Sequence, residues 1–176
     1  VEANEAVARH FEDIEIPAMR RIHPEPSFDD LEEVRTMVSG HGVKIPDHPT
    51  RKDLQRVLDA TRNTPAARSV HFAILRSLTK ASYSPLPIGH FALASNQYVH
   101  FTSPIRRYAD LIVHRVVYQN KKYEGAAIEE AADHISLTER NSSDAEFDSK
   151  LIKLLTHLQR QIDSGQPETY TGMVTE

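Results

Sequence analysis

The stretch from Ala126 to Ile162 contains neither Gly nor Pro, the two residues least tolerated inside a helix. At 1.5 Å per residue it would form one helix of roughly 55 Å, and any fold for this chain has to accommodate that rod. Its second half carries Leu151, Leu154, Leu155, Leu158 and Ile162, an apolar stripe of helical period. The middle, Thr138 to Asp148, is polar on most faces. It is either a solvated bridge or the flank of a polar site.

The remainder reads as shorter elements. Ala3, Val7 and Phe11, with Ala6 between them, form an apolar stripe in a first helix that has no initiator Met and no cap before it. Pro17 to Pro26 is too rich in proline for a helix and suggests a short extended segment. Ser27 caps a second helix with Asp29 and Asp30 in its first turn; it runs through Val34 and Val38 to the stop at Gly40-His41-Gly42. Thr50 caps a third, with Leu54, Val57, Leu58 and Thr61 on one side. Thr64-Pro65 opens a fourth through Val70, Ile74 and Leu78. Between Ala81 and Ser103 the period changes, and His90–Ala94 and Tyr98–Phe101 read as short strands. A helix from Pro104 to about Lys121 comes next. Tyr170 to Glu176 is strand-forming and then stops, so both ends read as cuts through longer elements. The sum is α+β: helix-rich, with a few short strands and a long C-terminal helix.

The chain has 176 residues and 39 % hydrophobic content, which suits one ordinary domain, or one domain and part of another. The lack of cysteine excludes disulfides, thiolate metal sites and cysteine nucleophiles, and fits a reducing cytoplasm. No apolar run approaches the roughly 20 residues that span a bilayer, so a cytoplasmic protein without membrane contact is expected. The net charge of −4 excludes a basic field over the whole surface. Phosphate affinity would have to be local. One cluster qualifies: Arg106, Arg107, Arg115, Lys121 and Lys122 stand against Asp110 alone.

That cluster begins at Thr102-Ser103-Pro104-Ile105-Arg106-Arg107-Tyr108-Ala109-Asp110. Ser followed by Pro predicts a helix N-terminus capped by Ser103, where unpaired backbone N–H groups and the helix dipole favour an anion. Two arginines in that first turn oppose the dipole, and a bound phosphate would account for them through arginine's planar fork. Spacing puts Ile105, Tyr108, Ala109 and Ile112 toward a core and Arg106, Asp110 and His114 on another stripe, so Asp110 is positioned to hold Arg106. An ordinary helical ion pair, worth about 0.3–0.5 kcal/mol, explains the same spacing. The ten histidines show no chelating layout, and no phosphate-cradling glycine loop or nucleophile elbow is present.

The run from Tyr83-Ser84-Pro85 through Gly89-His90-Phe91-Ala92-Leu93-Ala94 and Tyr98-Val99-His100-Phe101 to Thr102–Arg115 resembles the signature of the RNase II/RNase R catalytic domain, the RNB domain. Ala3–Ala8 and Arg21-Ile22-His23 look like the same family. The resemblance implies a hydrolytic exoribonuclease degrading single-stranded RNA from the 3′ end to 5′-nucleoside monophosphates with Mg²⁺. It implies Arg106 as the catalytic arginine on RNA phosphate, with Ser103 and Arg107 beside it. His90, His100 and His114 are taken as packing positions. Asp144-Ala145-Glu146 resembles a segment whose Glu lies near the RNA 3′ end. The family follows that Glu with Arg, whereas Phe147 stands here. Residues 1–165 then correspond to the C-terminal part of the RNB domain, and 166–176 to the start of an OB-fold RNA-binding domain. The family's Mg²⁺-binding aspartates lie upstream; Asp29-Asp30 is a helix start, so no metal ligands are expected here and the chain alone should be inactive. Neither DNA nor a membrane is expected as a partner. Two other readings stay open: a non-catalytic RNA-binding relative, or a helical protein-interaction module that docks through an exposed Leu151–Ile162 stripe.

Overall fold

The computed structural model describes residues 1–40, 42–119, 123–165 and 168–170. These form α1 (Glu2–Asp13), β1 (Arg20–Ile22), α2 (Phe28–Gly40), α3 (Arg51–Thr61), α4 (Ala67–Ser77), β2 (Ser82–Ser84), a 3₁₀ turn (Phe91–Leu93), α5 (Tyr108–Gln119) and α6 (Gly125–Asp163). The expected rod is there: α6 is one continuous helix of 39 residues. The chain divides into two units, Val1–Ala132 and Asp133–Glu176.

Among the described residues the first unit shows two cores. In one, Ala8 and Phe11 of α1 meet Ala18, Val99 and Val113 and Val116 of α5. In the other, Val34 and Val38 of α2 pack with Val57 of α3 and Val70 and Ile74 of α4. Two of the caps read from sequence hold. Ser27 Oγ accepts the Asp30 N–H at 3.2 Å, and Thr50 forms a reciprocal box with Asp53. The helix expected from Pro65 begins two residues later, at Ala67. Thr64 Oγ1 donates back to the Thr61 carbonyl of α3 at 2.8 Å, so its hydroxyl does not cap α4.

The sheet is small. β1 pairs antiparallel with β2, Arg21 opposite Tyr83, and on its other side Arg20 bridges Val99. Two expected strands are not formed as such. His90–Ala94 turns instead, because His90 Nδ1 accepts the Leu93 N–H at 3.3 Å and Ala94 takes a left-handed conformation at φ 56°. Tyr98–Phe101 is extended but bridges only at Val99, since the side chains of Asn4 and His114 take up the Phe101 backbone.

The first helix buries a different face from the one expected. Asn4, Ala8 and Phe11 are inside, Val7 is half-buried and Ala3 is exposed. In the second unit Leu151, Leu154, Leu155 and Ile162 of α6 are exposed. The strand expected at Tyr170–Glu176 lies outside the described residues apart from Tyr170.

Candidate nucleic-acid interface

The Thr102–Asp110 segment is built around one buried carboxylate. Asp110 is 0 % exposed and sits in the first turn of α5, where the helix dipole favours a negative charge. Its Oδ1 accepts the Ser103 backbone N–H at 2.6 Å and Arg107 Nη2 at 3.0 Å. Its Oδ2 accepts Arg107 Nε at 2.8 Å. A buried carboxylate is tolerated when its oxygens are matched this fully. The Ser103 carbonyl in turn accepts the backbone N–H groups of Arg106 and Arg107, each at 3.2 Å, closing a turn over Pro104–Arg106.

This geometry corrects four expectations. The helix starts at Tyr108, not Pro104. The anion at its positive end is Asp110, so Ser103 is not an open cap and its N–H is already committed. Asp110 holds Arg107, not Arg106, because Arg106 lies before the helix and the i, i+4 relation does not apply to it. Ile105 and Tyr108, expected in the core, are 97 % and 52 % exposed, whereas Ala109 and Ile112 are buried as expected. Arg106 is exposed, and its guanidinium has neither ion pair nor hydrogen bond among the described residues. Of the remaining cations, Arg115 lies over the Tyr108 ring at 5.6 Å, while Lys121 and Lys122 lie outside the described residues.

The chain leading into the turn is fixed from both sides. Phe101 donates its N–H to Asn4 Oδ1 at 3.1 Å, and Asn4 Nδ2 donates to Tyr98 Oη at 2.8 Å. His114 Nε2 lies 2.7 Å from the Phe101 carbonyl. Asn4 was missed in the sequence. Its signal is an amide inside a helix it does not favour, on the same face as Ala8 and Phe11.

Behind the turn runs a column of rings. Arg21 lies 4.6 Å over Tyr83, whose Oη is 2.9 Å from His100 Nδ1. His100 meets Tyr98, Tyr98 meets His90, and His90 stacks on His23 at 5.1 Å. Burial holds His90 and His100 each down to about 4, helped at His90 by His23 and Arg21 and at His100 by Arg107 and Arg21. They are neutral packing groups, the role expected of them.

Glu146 belongs to the second unit. It is exposed and accepts a hydrogen bond from Lys150 at 2.5 Å, which holds its carboxyl below the usual range. Among the described residues no group of three or more His, Cys, Asp or Glu could hold a metal ion, and Asp30 is spent on capping Ser27. No helix there is long and apolar enough to cross a membrane.

The RNB domain model matches residues 1–123. Ribonuclease R of Aquifex aeolicus is 35 % identical over 99 % of this chain, which spans 26 % of that relative. Among solved structures, Mycoplasma genitalium RNase R in complex with ribose-methylated single-stranded RNA superposes with a TM-score of 0.79 at 30 % identity, covering 91 % of this chain and 27 % of the other. Yeast Ssd1, a pseudonuclease, shares the fold with a TM-score of 0.65 at 22 % identity, covering 76 % of this chain and 18 % of Ssd1. The chain thus spans about a quarter of the length of the ribonuclease R relatives it matches. A family match over most of the chain and a relative along nearly all of it lead to one conclusion: the chain belongs to the RNase II/RNase R family of RNB-domain proteins.

Proposed function

We propose that this chain forms one wall of the RNA path in a hydrolytic 3′-to-5′ exoribonuclease that degrades single-stranded RNA to 5′-nucleoside monophosphates in the cytoplasm. The observation that carries the proposal is the division of labour between adjacent arginines. Arg107 is locked to Asp110, and that lock stiffens the turn that displays Arg106 outward with its donors free. A guanidinium held this way meets a phosphate without first breaking an ion pair, and it can stabilise charge developing on a phosphoryl oxygen. Arg107 then acts as a positioning residue, and Ser103 serves through its backbone. Glu146, paired with Lys150, is proposed near the RNA 3′ end. Residues 1–165 are proposed as RNB domain and 166–176 as the beginning of an OB-fold.

Family members use Mg²⁺, and the described residues offer no donor set that fits it. On this reading the chain alone cleaves nothing, and a polypeptide carrying it within a complete RNB-family enzyme does. That polypeptide, given 5′-labelled single-stranded RNA and Mg²⁺, should shorten the label stepwise to a small oligonucleotide. Arg106→Ala should slow cleavage by at least about 100-fold, the order seen for loss of one charge-stabilising donor. Intact RNA that is nevertheless retarded on a native gel would replace this reading with a non-catalytic RNA-binding relative.

A further inference from the structure

The ring column does not end at His23. His23 stacks on Phe91 at 6.3 Å, and the Arg51 guanidinium lies 4.8 Å over the far ring. Here two adjoining depressions share Glu25, Arg51 and Phe91. The larger, of about 640 Å³, is also lined by Phe28, His48 and Lys52. The smaller, of about 340 Å³, runs along His23 and His90.

The charges in this groove are unusual for their helix. Arg56, midway along α3, and Arg62, just beyond its end, are each paired with an aspartate. Arg51 and Lys52 are exposed and have no ion-pair or hydrogen-bond partner among the described residues. Stacking on Phe91 occupies the flat face of the Arg51 guanidinium and leaves its in-plane N–H donors free, the edge with which arginine grips a phosphate through two bonds. Phe28, which lines the same groove, is 56 % exposed and is met by His48 at 5.5 Å between ring centres, so an aromatic face is open to it. Glu25 supplies a carboxylate, an acceptor for hydroxyl groups.

We propose that this groove binds a nucleoside 5′-monophosphate unit, with the base against Phe28, the phosphate on Arg51 and Lys52, and ribose hydroxyls on Glu25. An acidic peptide or a bare phosphate satisfies the cations but leaves the exposed Phe28 ring uncovered. A nucleotide satisfies both, and base-on-ring stacking needs no particular sequence. The unit arrives either as a free mononucleotide or within an RNA strand. The groove extends the ribonuclease reading without resting on Arg106.

The test titrates the 176-residue chain with 5′-AMP, adenosine and inorganic phosphate, following amide shifts by NMR. 5′-AMP should bind at least tenfold more tightly than either fragment. Arg51→Ala should weaken it at least tenfold and Phe28→Ala at least threefold, while Arg106→Ala leaves it unchanged. All three side chains are exposed, so the variants keep the fold, which the unperturbed amides report. Adenosine or phosphate binding as well as 5′-AMP, no binding at all, or an Arg51→Ala variant that binds like the original would overturn the proposal. A short oligoadenylate that displaces 5′-AMP identifies RNA as the source; one that fails to displace it identifies free mononucleotide. Loss of RNA affinity in Arg106→Ala with 5′-AMP binding intact separates the two readings.

Discussion

Arg106 and Arg107 are neighbours of the same type with opposite duties, and substitution should show it. Asp110→Asn removes half the charge from a buried, fully bonded pair and leaves Arg107 unmatched, which costs about 3 kcal/mol and should appear as a lower urea midpoint. Arg106→Ala removes an exposed, unpaired side chain and should change stability by less than about 0.5 kcal/mol. Asn4→Ala strands the Tyr98 hydroxyl and the Phe101 N–H in the interior. It should cost about 2–6 kcal/mol in the same assay, since each orphaned buried group carries a penalty of about 1–3 kcal/mol. The histidines add a pH signature. With His90 and His100 near 4 in the folded chain and about 6.5 when unfolded, only the unfolded state takes up these protons in between. Their contribution to stability is complete above about pH 6.5 and is lost as pH falls toward 4. Thermal unfolding at pH 7, 6 and 5 should show the fall, and His90→Phe should flatten part of it.

At the scale of elements, the sequence was most legible where one local signal decides the outcome. Ser27 and Thr50 cap helices because a hydroxyl with Asp three residues later has a local use for both groups. The long α6 results from the absence of any breaker. It was least legible where a distant side chain intervenes. The strand expected at Tyr98–Phe101 loses its ladder to Asn4 and His114, residues 97 and 13 positions away from Phe101. Likewise Ser-Pro before a basic run looks like an open helix start until Asp110 is seen folding back onto Ser103, a buried pairing that spacing alone could not rank above the Arg106 alternative. The turn after β2 carries a further constraint. A Cβ on Gly89 would meet the Ser95 carbonyl oxygen at 2.8 Å, where His90 N–H already bonds at 2.7 Å. Gly89→Ala should therefore lower stability by about 1–3 kcal/mol, as overpacking against backbone does, and loosen the ring column that starts beside it.

At the scale of the whole molecule, the net charge of −4 rules out a general basic field, so the proposed RNA binding would rest on a few local contacts. Salt dependence then becomes a count of phosphates: for single strands, log affinity falls with log salt by about 0.7 per phosphate neutralised. The most direct test of the displayed arginine is the affinity of the chain for a short single-stranded RNA between about 50 and 200 mM salt, with and without Arg106→Ala, by fluorescence anisotropy. The variant should bind more weakly, with a slope shallower by about 0.7, the loss of one phosphate contact. An unchanged affinity and slope would contradict this, and Arg106 would then be a surface arginine that RNA does not touch.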